Sequence, residues 1–137
     1  MKKTNPYLYL MKTYKKYYII PESPEIIYQA LTNGKTIMLW TGFDAEMSTK
    51  IGSEFSLWDG NISGMNLDFV KGKKIVQEWF FGDQKEKSIV TIKLHEHKKG
   101  TSAELHHTNI PSDDFEGMCA GWDNAYFGEL IDFYTGE

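Results

Sequence analysis

The sequence predicts an α+β domain, an antiparallel sheet with its helices segregated to one face. Three observations predict it. Two short helical patterns, PESPEIIYQAL and KTIMLW, follow one early strand. A long middle stretch then alternates apolar and polar residues between turn signals. From Asp113 onward, apolar residues recur at spacings of three and four, the signature of one long amphipathic helix.

Taken in order, residues 1–12 read as a leader and residues 13–137 as a single domain. YKKYYII, from Tyr14 to Ile20, is aromatic and β-branched and predicts the first strand. Ser23 is a good N-cap, Pro24 suits the first helical position, and Ile27 and Leu31 share a face. Asn33-Gly34 ends that helix, and the second runs to Trp40 before Gly42. Strands are expected over Phe43–Met47, Ser53–Trp58, Ile62–Val70, KIVQEWFF, Ser88–His97 and Thr101–Ile110. Asp59-Gly60-Asn61 is a hairpin turn in which Gly60 supplies positive φ. In the Ile62–Val70 strand, Met65, Leu67 and Phe69 alternate with Gly64, Asn66 and Asp68, so the former are expected inside. Gly82–Lys87 reads as a polar loop. Asp113 and Glu116 make a capping box for the last helix. Its stripe is Phe115, Met118, Trp122, Ala125, Tyr126, Leu130 and Phe133. Gly117, Gly121 and Gly128 interrupt it at about 1 kcal/mol each against Ala.

Composition excludes several function classes. All 15 basic side chains are Lys, so the planar bidentate donor of phosphate clamps and base readout is missing. The formal net charge of −4 argues further against nucleic acid. The single cysteine, Cys119, cannot close an internal disulfide, and PYLYLM is too short and polar for a signal segment. A cytoplasmic location without membrane insertion is expected. There is no HExxH, CxxC, GxSxG or phosphate-binding glycine loop, so no cofactor and no metal are expected. Twenty aromatics, 15% of the chain, fill a core or line a cavity.

All four histidines lie in LHEHKKGTSAELHHT. A two-residue turn at Lys99-Gly100 pairs His95 with Glu104 and puts Val90, Ile92, Leu94, Ala103, Leu105 and His107 on one buried face. His95, His97 and His106 then share the wet face with Glu104. They carry zinc-ligand chemistry, but an open sheet offers neither enclosure nor supporting partners. His107 is the inward one and the group on this hairpin that titrates near neutrality.

The order SPEIIYQALTNGKTIMLW, GSEFSLWDGNISG, GKKIVQEWFF, TSAELHHTNIP, GWDNAYFGELIDF resembles the activators of the heat-shock-protein-90 ATPase and their bacterial homologues, in the START-like helix-grip superfamily. The resemblance runs from about Tyr14 to Tyr134. It departs from many relatives in lacking Arg and in carrying Ile51-Gly52-Ser53 where a double glycine is common. The resemblance implies a curved sheet of six or seven strands wrapped around the C-terminal helix, with a cavity between them for apolar molecules.

Three functions compete. The first is binding of an apolar or lipid-like ligand by Trp40, Phe55, Met65, Leu67, Gln77, Trp79, His107, Trp122 and Tyr126. The second is an aromatase or cyclase in which His107 moves a proton, helped by Gln77 and Asn109 facing inward. The third is an interaction module for a chaperone ATPase. The oligomeric state is left open.

Overall fold

The computed structural model describes residues 11–81 and 87–136. Strand β1 (Met11–Ile20) leads into helices α1 (Pro24–Thr32) and α2 (Gly34–Thr41). Strands β2 (Glu54–Leu57), β3 (Ile62–Val70), β4 (Lys74–Phe80), β5 (Ser88–His97) and β6 (Gly100–Pro111) follow. The chain ends in helix α3 (Ser112–Ala120), a π-helical turn (Gly121–Tyr126) and helix α4 (Phe127–Thr135). The six strands form one antiparallel sheet in the order β1-β6-β5-β4-β3-β2. It curves around the C-terminal helical segment, whose buried Trp122, Tyr126, Phe127 and Leu130 complete the core.

Local chemistry explains the helices. Ser23 Oγ accepts from the Ile26 N–H and Pro24 occupies the first turn, as expected. Asn33 then caps α2, its Oδ1 accepting from the Thr36 N–H at 3.0 Å. Gly42, at φ 80°, closes that helix in the left-handed conformation.

Several expectations change. Met11 and Lys12 belong to β1 rather than to a leader, and residues 1–10 lie outside the described residues, as does most of the Gly82–Lys87 loop. The segment Phe43–Met47 makes a single bridge, Glu46 to Ser56, instead of a strand. The β2–β3 turn has four residues, because Leu57 pairs with Ile62, and Trp58 and Asp59 share positive φ with Gly60. The β5–β6 turn is Lys98-Lys99, since His97 pairs with Gly100. That moves the register by two from the expected pairing, so every side chain keeps its predicted face. Val90, Ile92, Leu94, Ala103, Leu105 and His107 are all buried, while His95 and His106 are exposed and His97 is half-buried.

Two irregularities overturn the alternation. At Leu67 the β3–β4 register slips, Asn66 pairing with Gln77 and Asp68 with Val76. The extra residue puts Gly64, Asn66 and Phe69 on the inner face, opposite Trp79, Gln77 and Ile75. Met65 and Leu67 therefore sit half-buried on the other face. Asn109 adopts φ 57°, which turns its side chain outward to donate to the Lys87 carbonyl at 2.9 Å. It is exposed, and Ile110 takes the interior place.

The last helix is not one uniform helix either. No capping box forms; α3 starts at Ser112 without a side-chain cap. Within the π turn the Phe127 N–H bonds to the Trp122 carbonyl, five residues back. The added residue rotates the stripe, burying Phe127 and Leu130 and leaving Phe133 exposed. Gly128 permits this, because a Cβ there would sit 2.5 Å from the Asp123 carbonyl oxygen.

Candidate functional site, a cleft between the helix and the sheet mouth

Between α3, the π turn and the open end of the sheet lies a cleft of about 500 Å³. Its floor is Trp79, Trp122 and Tyr126; Phe43, Trp58, Ile62 and Phe81 form the sheet-side wall. Met118 and Ala125 flank the helix side, where Gly117 and Gly121 leave the room. A Cβ on either glycine would meet nothing within 4 Å. Asp113, Asp114 and Asn61 stand at the exposed rim. Trp58 is held at φ 50°, a conformation that costs a bulky residue about 1–3 kcal/mol and directs its ring toward the edge of Tyr126, centroids 6.1 Å apart.

The floor is a continuous aromatic stack. Trp79 lies on Trp122 at 4.6 Å and 28°, and Tyr126 packs against Trp122 at 4.6 Å and Trp40 at 5.1 Å. Beneath it, polar groups are satisfied in two chains. An indole N–H can only donate, so the 2.9 Å contact from Trp122 Nε1 to His107 Nδ1 makes Nδ1 an acceptor. The imidazole proton is then on Nε2 and goes to Ser88 Oγ at 2.6 Å, while the Ser88 hydroxyl donates to the Thr108 carbonyl. Burial, helped by His106, pushes the His107 pKa down to about 3. His107 is thus a neutral, fully buried core residue with both ring nitrogens engaged.

In the second chain, Trp79 Nε1 donates to Gln77 Oε1 and Gln77 Nε2 to Asn66 Oδ1, each at 2.9 Å. Asn66 Nδ2 in turn donates to the Ser48 carbonyl and to Ser53 Oγ. Trp40 Nε1 is taken by the Ala30 carbonyl. The expected wall residues therefore divide. Trp79, Trp122 and Tyr126 line the cleft, Trp40, Phe55, Gln77 and His107 support it from the core, and Met65 and Leu67 lie on the opposite face of β3. Sequence reasoning missed Phe43, Trp58, Phe81 and the glycine pair. The glycines were visible as helix interruptions, and Trp58 as an aromatic beside a turn.

The helix is anchored by one carboxylate. Tyr14, Lys16 and Tyr18 alternate on the inner face of β1, and all three donate to Asp123 Oδ1, at 2.9, 2.9 and 2.7 Å. Burial alone would raise the Asp123 pKa, but these three donors hold it below its usual value. Burial and the Asp123 bond push Tyr18 upward. Tyr18 also stacks on Phe127 at 4.2 Å. On the outer face, His95 Nε2 meets Glu104 Oε1 at 2.9 Å, and that bond lowers the Glu104 pKa. Among the described residues, no group of three or more His, Cys, Asp or Glu is arranged to hold a metal. No helix among them is long and apolar enough to cross a membrane.

Comparison with known proteins places this architecture. Residues 22–132 match the family model described as Activator of Hsp90 ATPase homolog 1-like protein. The chain is 33% identical over 107 residues to the human Activator of 90 kDa heat shock protein ATPase homolog 1, covering 77% of this chain and 32% of that protein. It spans about a third of the length of such curated relatives. An HSP90 activator from Plasmodium falciparum superposes with a TM-score of 0.74 at 26% identity, covering 93% of this chain and 96% of that one. A Mesorhizobium loti protein shares the fold at a TM-score of 0.79 and 21% identity, over 91% and 98% of the two chains. The match over residues 22–132, most of the chain, makes this chain a member of the Activator of Hsp90 ATPase homolog 1-like family.

Proposed function

We propose that this domain binds an apolar small molecule in the cleft between the π turn and the mouth of the sheet. The observation that carries the reading is Gly117 and Gly121 facing an aromatic-walled space of about 500 Å³, within the usual range of ligand pockets. A helix that served only to plug the sheet would fill that space with side chains. Instead it spends helix stability on two glycines there.

The experiment fills the cleft without disturbing the core. Gly117→Leu and Gly121→Leu place a side chain in open space, so both variants should fold with undiminished thermal stability. Native protein should raise the fluorescence of Nile red, a neutral probe, and the Leu variants should not. Equal dye uptake by native and filled proteins would sink the reading.

Membership of an Hsp90-activator family favours a second reading, docking on a chaperone ATPase. The relatives that bear that name are about two and a half times as long as this chain, so the domain must be tried alone. It should alter the ATP turnover of a 90 kDa heat-shock protein when added in excess; unchanged turnover would remove it. A cyclase-type enzyme has the least support. His107 is neutral and committed at both nitrogens, and Asn109 points away.

A further inference from the structure

Resting on the cleft reading, we propose that the ligand is an apolar amine: a molecule with one positive charge, its ammonium at the Asp113–Asp114 rim and its apolar body on the Trp122–Tyr126 floor. Among the described residues, the ionisable side chains that line the cleft are Asp113, Asp114 and Tyr126, with no Lys or His. Both carboxylates are exposed, so a cation meeting them stays hydrated while its apolar part is buried. They also sit in the first turn of α3, where they offset the positive end of the helix that would otherwise favour an anion. Phe43 and Trp58 line the wall, and aromatic faces attract ammonium groups within about 6 Å.

Tyr126 supplies an independent indication that the cleft is a ligand site, while the aspartates set the sign of the ligand's charge. Its residue is 5% exposed, yet its hydroxyl has no hydrogen-bond partner among the described residues. Every deeply buried side-chain nitrogen and oxygen described does have one. The hydroxyl must therefore reach accessible surface, and the surface its ring borders is the cleft. Burial raises its pKa, so it stays a neutral phenol, able to donate to or accept from a polar group of a molecule seated in the cleft. A carboxylate ligand would face two like charges and the negative faces of the rings.

Three probes with one ring system decide it by calorimetry at pH 7: 2-(1-naphthyl)ethylamine, 2-(1-naphthyl)ethanol and 1-naphthaleneacetate. The amine should bind about tenfold more tightly than the alcohol, and the acetate most weakly, from charge pairing and cation–π attraction. The Asp113→Asn/Asp114→Asn protein should lose most of the amine's advantage while holding the alcohol unchanged. Both sites are exposed, so the variant is expected to fold, and its melting curve checks this. Equal binding of amine and alcohol, preference for the acetate, or an amine advantage that survives the double variant would overturn the proposal and leave the cleft reading standing. Absence of binding by all three would overturn both.

Discussion

Trp122 and His107 hold one another through a single buried hydrogen bond, indole Nε1–H to imidazole Nδ1 at 2.9 Å. The bond ties the π turn to β6 and fixes the imidazole as the neutral tautomer. It also occupies the nitrogen where a second proton would have to go.

Stability should consequently fall in mild acid. The folded-state pKa of His107, about 3, lies below its ordinary 6.5. Between those values the unfolded chain binds the extra proton and the native protein does not. His107 thus contributes fully above pH 6.5, and its contribution is lost progressively as pH drops toward 3. From pH 7 to 4.5 the loss should be about 2–3 kcal/mol, read from urea unfolding. A His107→Gln protein should show a flatter profile across that window; an identical slope would refute the assignment.

Removing the donor should expose the same coupling from the other side. Trp122→Phe keeps most of the ring stack but leaves Nδ1 buried without a partner. The expected cost is about 1–3 kcal/mol for the orphaned acceptor. The His107 titration midpoint, followed by proton NMR, should move upward because the indole no longer opposes a proton. An unmoved midpoint would show that burial alone sets it.

The Asp123 anchor should behave as a coupled unit. Tyr18→Phe and Asp123→Ala each remove one end of a 2.7 Å bond, and Tyr14 and Lys16 share the same oxygen. Double-mutant cycles on unfolding free energy should give a coupling of about 0.5–3 kcal/mol for Tyr18 with Asp123. Strict additivity would mean that the carboxylate is not what binds β1 to the helix.

Two Gly→Ala changes should have opposite signs. At Gly64, a Cβ would lie 2.8 Å from the Phe55 ring and press on the Glu78 carbonyl, so Gly64→Ala should cost about 1–3 kcal/mol through overpacking. At Gly117 the space is open, and Gly117→Ala should gain up to about 1 kcal/mol of helix propensity. Thermal melts of the two proteins side by side test both the sheet contact and the emptiness of the cleft.

Some of the candidate site was legible from residue order, some not. Trp79, Trp122 and Tyr126 announce themselves as large aromatics on predicted inner faces. Trp58 and Phe43 do not, because their positions come from a left-handed turn and from a segment that never becomes a strand. Met65 and Leu67 look like interior residues until one extra residue in β3 exchanges the faces.

The sequence by itself determined six of the seven expected strands, the Ser23-capped first helix, and the burial of His107 against the exposure of His95 and His106. Period-two alternation carries that information, and it survived a turn displaced by one residue because that moves the register by two, which preserves faces. Only the tertiary structure decided the bulge at Leu67, the outward Asn109 and the π turn. Each is a one-residue phase change, stabilised by partners far along the chain: Gln77 for Asn66, Lys87 for Asn109, and Tyr14, Lys16 and Tyr18 for Asp123. Local pattern has no access to such bonds, and the aromatic floor and glycine wall of the cleft are assembled by them.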